Sequence, residues 1–389
     1  MLANDANAIQ IGLERSMKAG IIMAPHSEAD RDLPRSHMGE TDARLALIHE
    51  WLSRALHRRV LRLEPASSDA SFRRYFRAFC EDGTYVVMDA PPGREDVRPY
   101  LKVSGFLEAL GVHVPHVHAC DAERGLLLLE DLGTTLYLER LEAGDDPERL
   151  YGDALDSLAL IQLCGRSHQA ELAPYGRAEL AREMSLMPEW FLGRHLALER
   201  SDAEQGMLAQ AFEFLITEAL AQPAVFVHRD YHARNLMVVP APARNPGIID
   251  FQDALRGPVG YDLVSLLKDC YIAWPRERVV GWVSAHRARL LAAGGAGAAV
   301  AGESEEQFLR WFDLIGVQRH IKVLGIFCRL WYRDDKAGYL PDLPRTLDYV
   351  RDACARYAEL GSLADFLERR VVAQLPLANA RVAAQRAHP

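Results

Sequence analysis

Residues 225–267, VFVHRDYHARNLMVVPAPARNPGIIDFQDALRGPVGYDLVSLL, alternate short apolar runs with acid-bearing polar turns, and this pattern restricts the chain to folds in which strand ends converge. The apolar run at residues 225–227 reads as a buried strand and residues 236–239 as a second. The turn Asn245-Pro246-Gly247 leads into a third at residues 248–249. His228, Arg229 and Asp230 follow the first strand, Asn235 comes five residues after Asp230, and Asp250 ends the third strand. Two carboxylates and an amide are thus expected at one end of a small sheet.

Two acids and an amide in this order suit phosphoryl transfer. That reaction asks little covalent chemistry of the protein: a carboxylate orients and deprotonates the attacking hydroxyl, and Mg²⁺ neutralises the nucleotide phosphates. Magnesium prefers oxygen ligands and keeps several waters, so one carboxylate and one amide oxygen are enough to hold it. The expected roles are Asp230 as base, with Asn235 and Asp250 as metal ligands. The spacing matches the protein-kinase catalytic loop and its metal aspartate. However, Gln252 stands where a protein kinase has glycine, and His232 where it usually has lysine; both departures point toward small-molecule kinases.

HRDYHARNLM, IIDFQDALRGPVGYDLVSLLKDCY and QRHIKVLGIFCRLWYRDDK resemble the aminoglycoside-phosphotransferase-like superfamily, and within it the bacterial N-acetylmuramate/N-acetylglucosamine anomeric kinases of cell-wall recycling. The resemblance runs from about Asp42 to the C-terminal helices. It implies an α+β, two-lobed protein-kinase-like fold: an antiparallel-sheet N-lobe for nucleotide over residues 41–131, and a mostly helical C-lobe over residues 132–389 with the catalytic loop and sugar site. It also implies a hinge whose backbone near Glu130 and Leu132 binds adenine. Asp262 is expected to hold the backbone of the catalytic loop, with His228 as a structural neighbour.

Ahead of the hinge, residues 72–79 alternate and residues 85–88 are apolar, predicting an antiparallel hairpin. The polar stretch Ser67-Ser68-Asp69-Ala70-Ser71 enters it, and the backbone and hydroxyl of Ser71 could cradle phosphate oxygens. Kinases place a lysine on the strand after this loop, yet that strand reads Tyr85-Val86-Val87-Met88-Asp89. Arg73 or Arg74 is expected to supply the missing charge, one rather than both, since adjacent strand residues face opposite ways.

Helices are predicted at residues 42–56, with Thr41 as cap, at 98–110, ended by Gly111, and at 151–170, 179–199 and 202–221. Residues 290–302, rich in alanine and glycine, read as a loop or frayed helix end. Further helices follow at 304–330 and 342–375, and Pro376 is expected to stop the last. Asp253 and Arg256 follow the metal aspartate on what reads as a loop lining the acceptor. Arg319 and Lys322, three apart on one helical face, would suit a carboxylate-bearing sugar such as N-acetylmuramate. His168 reads as structural, and Trp190 and Phe191 as core residues that could also floor a sugar pocket.

Composition removes other classes. A net charge of −9 argues against nucleic acid or an anionic membrane as main partner. Six scattered cysteines without a Cys-x-x-Cys pair read as reduced thiols of a cytoplasmic protein rather than zinc ligands. No apolar run approaches the length of a membrane span. Residues 1–40 lack periodicity and read as a mobile extension, with Met38 an alternative start that would make the preceding residues dispensable.

These readings converge on an ATP- and Mg²⁺-dependent sugar kinase acting on the anomeric hydroxyl of N-acetylmuramate or N-acetylglucosamine, with a small molecule as its partner. Two alternatives stand beside it. One is the same chemistry on another sugar, an amino alcohol or an aminoglycoside, the last of which would want acidic surroundings at Asp230. The other is a nucleotide-binding protein without catalysis, raised by the missing lysine.

Overall fold

The computed structural model describes residues 35–56, 58–68, 73–165, 168–302 and 304–387. Its internal contacts divide the chain into two units, one of residues 1–98 and 117–131, the other of residues 99–116 and 132–389.

The first unit is a five-stranded antiparallel sheet in the order β1-β2-β3-β5-β4, with β1 at Val60–Ser68, β2 at Arg74–Cys80, β3 at Gly83–Asp89, β4 at Val117–Asp121 and β5 at Leu126–Glu130. The hairpin expected from the alternation is β2–β3, with Arg74 opposite Asp89 and Cys80 opposite Gly83. Helix α1 (Arg35–Ala55) packs Ile48, Trp51 and Leu52 onto Phe76, Ala78, Val87, Leu126 and Leu128. It begins earlier than the predicted residue 42, so residues 35–40 of the expected extension are helical; residues 1–34 lie outside the described residues. Strand β1 was not among the predicted elements. Its run VLRLEPASS includes Pro65, which an edge strand tolerates because half its backbone groups face away from the ladder.

In the second unit, α2 (Arg98–Ala109, all but its first residue in this unit) seats Tyr100 against Phe251, ring centroids 4.7 Å apart. Helices α3 (Tyr137–Glu142), α4 (Pro147–Cys164) and α5 (Arg177–Met184) follow, then a π-helical segment Met187–His195 and α6 (Asp202–Leu220). Ser201 caps α6: its hydroxyl accepts the Glu204 N–H while Glu204 reaches back to the Ser201 N–H. Phe191 is fully buried, as read, whereas Trp190 is half-buried under the Arg194 guanidinium. His168 stacks on Phe106 at 4.4 Å.

The three strands of the central stretch do not share one sheet, contrary to expectation. Strand β6 (Ala224–Val227) pairs with β9 (Leu255–Pro258), and β7 (Leu236–Met237) pairs with β8 (Gly247–Ile248). The run Leu-Arg-Gly-Pro lacks the alternation that would have announced β9, so Arg256 sits in a strand opposite Phe226 and not on a loop.

All eight residues of α7 (Gly260–Leu267) are buried, the polar Asp262 and Ser265 included, so the helix is interior. The alanine-glycine region is helical rather than looped: α8 (Arg276–Ala292) is followed by α9 (Gly295–Ala301). Helix α10 (Glu305–Asp334) runs through the middle of the unit with residues 311–325 buried. At Gly325 an added Cβ would lie 2.4–2.6 Å from the backbone and side chain of Leu186, so the π-helical segment can approach α10 only where no side chain intervenes. Helices α11 (Leu343–Cys354), α12 (Gly361–Phe366) and α13 (Gln374–Ala387) complete the chain. Pro376 does not end α13, because it falls in the first turn, where no intrahelical N–H is required of it.

Candidate active site

The catalytic loop hangs between β6 and β7 and is held from below. Asp262, in the first turn of α7 and 1% exposed, accepts the backbone N–H of His228 at 2.7 Å and of Arg229 at 2.9 Å. It is not an N-cap; Val259 takes that place. Burial pushes the Asp262 carboxyl up to about 7, against the pull of those two N–H donors. Asp269 does the same further along, accepting the Ala233 N–H and the Tyr271 N–H at 3.0 Å each. Two buried acids thus satisfy three loop and one downstream backbone donors that no ladder reaches.

His228 closes the near side. Its Nε2 contacts the Ile249 carbonyl at 3.1 Å, and its Nδ1 accepts the Asp230 N–H at 3.3 Å, the neutral tautomer with Nε2–H as donor. Burial holds the imidazole down at about 4, so it is a neutral strut at physiological pH. Arg229 and Asp250 have left-handed backbones, φ 81° and 65°. For residues with a Cβ such conformations cost about 1–3 kcal/mol each and persist where surrounding contacts enforce them.

Those two bends aim side chains. Asn235 Nδ2 lies 3.0 Å from the Asp230 backbone carbonyl and 3.3 Å from Asp250 Oδ2, so the amide ties the main chain of the first aspartate to the side chain of the second. The Gln252 amide donates to Asp250 Oδ1 at 2.7 Å. The residue that departs from the protein-kinase pattern therefore braces the second aspartate. Asp230, Asn235 and Asp250 are all half-buried, unlike the acids below them. An amide and a carboxylate in contact, oxygen donors only and still reachable by water, fit a magnesium ion that keeps part of its hydration shell. Among the described residues no cluster of three His, Cys, Asp or Glu side chains offers a site for a softer metal.

Beneath the loop lies a cationic layer. Burial works against ionisation of Asp230, but Lys322, His232, Arg319 and Arg229 outweigh it and hold the carboxyl below its ordinary range. Lys322 Nζ is 2.9 Å from Glu183 Oε1 and 3.0 Å from the Tyr261 hydroxyl; Arg319 Nε donates to Ser265 Oγ at 2.6 Å. Arg229 NH2 also pairs with Glu183 at 2.6 Å. Arg319 and Lys322 were expected to offer a cationic face to a sugar carboxylate. They are instead 4% and 8% exposed, with head groups turned into the protein, because α10 is an interior helix whose polar side chains must find internal partners.

Other expected positions are more dispersed. Asp253 and Arg256 are exposed. In the sheet unit Arg74 pairs with the fully buried Asp89, which Arg44 also engages at 2.8 Å, and Arg73 lies 3.4 Å from Glu95. Glu130 is half-buried opposite Tyr85; Leu132, in the second unit, packs on Met237 and Val239. Ser71 lies outside the described residues. Sequence reasoning missed Glu183, Asp269 and Gln252. The first two carry no local signal, being 46 and 36 residues from the loop positions they bind, whereas Gln252 was visible as an exception.

No helix among the described residues is long and apolar enough to cross a membrane. A family model described as the phosphotransferase enzyme family matches residues 62–309. The N-acetylmuramate/N-acetylglucosamine kinase of Pseudomonas putida is 44% identical over 342 residues, 85% of this chain and 97% of its own. The protein of the same name from Neisseria meningitidis serogroup B is 42% identical over 320 residues, 81% and 92% of the two chains. Among solved structures, the choline kinase LicA from Streptococcus pneumoniae aligns with a TM-score of 0.55 at 15% identity, covering 82% of this chain and 100% of its own. The ADP-bound aminoglycoside phosphotransferase APH(2'')-Ib aligns with a TM-score of 0.51 at 18% identity, covering 78% and 97%. Both structures share the kinase-like fold. Matched by the family model over most of its length, and more than 40% identical to kinases that span over four-fifths of it, this chain is a member of the phosphotransferase enzyme family.

Proposed function

We infer that the protein transfers the γ-phosphoryl group of ATP to the C1 hydroxyl of N-acetylmuramate and N-acetylglucosamine, giving a sugar 1-phosphate and ADP. The observation that carries the reading is the Asp230–Asn235–Asp250 cluster in a chain 42–44% identical to kinases named for those two sugars.

Asp230 accepts the proton of the C1 hydroxyl as the sugar oxygen bonds to the γ-phosphorus and the bond to the β-phosphate oxygen breaks. A hemiacetal hydroxyl is more acidic than an ordinary alcohol, so a carboxylate of depressed basicity serves. When bound by the Asn235 amide and the Asp250 carboxylate, Mg²⁺ would supply positive charge to the triphosphate. His228, Asp262 and Asp269 keep the loop in its left-handed shape, so that positioning supplies most of the rate. Ser71, Arg73, Arg74 and the backbone near Glu130 and Leu132 are assigned to the nucleotide. Asp253 and Arg256 are assigned to the sugar. A cytoplasmic location, where ATP is abundant, follows from the reaction.

The cations around Asp230 weigh against an aminoglycoside acceptor, since Lys322, Arg319 and Arg229 would repel a polycation. Incubating wild type and Asp230→Asn with ATP, Mg²⁺ and each amino sugar, and locating the new phosphate by ³¹P NMR, tests the reading. Wild type should give the 1-phosphate and the variant at least about a hundredfold less. Absence of any phosphosugar from wild type would sink it.

A further inference from the structure

With Arg319 and Lys322 committed to interior partners, a sugar carboxylate needs another cation, and the catalytic loop itself carries one. Arg234 lies between Asp230 and Asn235 in sequence, half-buried, with its guanidinium centred 4.0 Å over the ring of Tyr271. The guanidinium also hydrogen-bonds the Tyr271 side chain, and its other N–H groups share one plane, the arrangement that meets a carboxylate with two parallel hydrogen bonds. Burial of a lysine ammonium would not fix direction in this way.

Tyr271 is also the start of an aromatic row. Its ring meets His232 at 5.6 Å and Phe327 at 6.4 Å, and Phe327 stacks on Tyr339 at 5.3 Å. Tyr271 and Tyr339 are half-buried, so part of the row is accessible. Apolar ring faces beside a few directional polar groups are what a pyranose requires, because its C–H faces are apolar and its rim is polar. Asp342 contributes negative charge near Arg234 and is itself paired with Arg345 at 3.2 Å.

We propose that Arg234, seated on Tyr271, is the specificity-determining residue for the acceptor, binding the carboxylate of an acidic amino sugar while the Tyr271–Phe327–Tyr339 row carries the sugar ring. This rests on the amino-sugar kinase reading. It separates the two acceptors chemically: N-acetylmuramate has a carboxylate on its ether side chain and N-acetylglucosamine has none.

The test compares kcat/KM of the full chain for N-acetylmuramate, its methyl ester and N-acetylglucosamine, in wild type, Arg234→Gln and Arg234→Lys. Arg234→Gln should lose about ten- to hundredfold on N-acetylmuramate, mostly in KM, and stay within about threefold on N-acetylglucosamine. Arg234→Lys should fall between, and the ester should be as poor for wild type as the acid is for Arg234→Gln. Equal losses on both sugars, or no loss on either, would overturn the proposal. So would a wild type that turns over ester and acid alike, a measurement needing no variant to fold. If wild type phosphorylates neither sugar, the amino-sugar reading falls and this inference falls with it; activity on both with no Arg234 discrimination removes the inference alone.

Discussion

The sheet unit and the loop-bearing unit both set ion pairs on a buried carboxylate, Asp89 and Glu183 alike, but surround it with cations of different exposure, down to 10% at Lys322. In the sheet, Arg74 joins Asp89 across β2 and β3, and Arg77 joins Asp131 at 2.7 Å; these arginine side chains remain 32% and 19% exposed. Beneath the catalytic loop, Glu183 is 2% exposed and receives both Lys322 and Arg229. An arginine in partial contact with water is screened, so its own share is roughly 0–1 kcal/mol where a second arginine, as Arg44 at Asp89, still meets the carboxylate. Removing one partner from a buried set leaves an uncompensated charge and costs about 3–5 kcal/mol. The sheet's pairs tie β2 to its surroundings; those under the loop hold down the proton affinity of Asp230, the proposed base.

The sharpest way to break this contrast is Asp262→Ala, which strips two buried loop N–H groups of their acceptor. Stability measured by urea unfolding should fall by about 2–5 kcal/mol, and kcat should fall at least about a hundredfold through loss of loop geometry. Unchanged kcat would show that the left-handed loop needs no anchor in α7. Glu183→Gln comes next: near-isosteric, it leaves Lys322 and Arg229 without their carboxylate and should cost about 3 kcal/mol in the same assay. A loss no greater than that of a surface pair would erase the distinction between the units.

Lys322→Met sharpens the electrostatic side. Asp230 must be ionised to accept a proton, and its carboxyl is held low, so wild-type kcat/KM should stay level on acidification until pH drops through that depressed value. Without Lys322 the carboxyl titrates at higher pH, and the acid limb of the pH–rate profile should move upward, toward neutrality. A limb that stays in place would mean that Lys322 does not set the charge state of Asp230. The smallest effect is expected for Arg74→Ala, about 1 kcal/mol or less, because Arg44 still meets Asp89; thermal melting reads it directly. A loss as large as that for Glu183→Gln would place the sheet's pairs among the buried ones.

The residues proposed to meet the reaction were legible in sequence because they are local: Asp230, Asn235 and Asp250 lie within 21 positions and stand out by their order. Asp262 was legible only through resemblance. Glu183 and Asp269 were not, since an acid looks the same in sequence whether solvent or a distant N–H group meets it. The depth of Arg319 and Lys322 was hidden for a related reason: α10 buries charged and apolar residues alike, so three-residue spacing says which residues share a face but not where that face points. In the fold, alternation found β2 and β3; in β1 the alternating Leu61-Arg62-Leu63-Glu64 is cut short by Pro65, and β9, with a proline and no alternation, formed through pairing with β6, far back in the chain.

The close approach at Gly325 has a consequence for the chemistry one turn away. Lys322 and Arg319 ride on the same rigid rod as that glycine, and a methyl group at position 325 could be accommodated only by prying the rod from Leu186. Any such displacement would carry both ammonium and guanidinium with it. A single hydrogen atom in the interior therefore acts as the spacer that sets the height at which both cations sit beneath the loop.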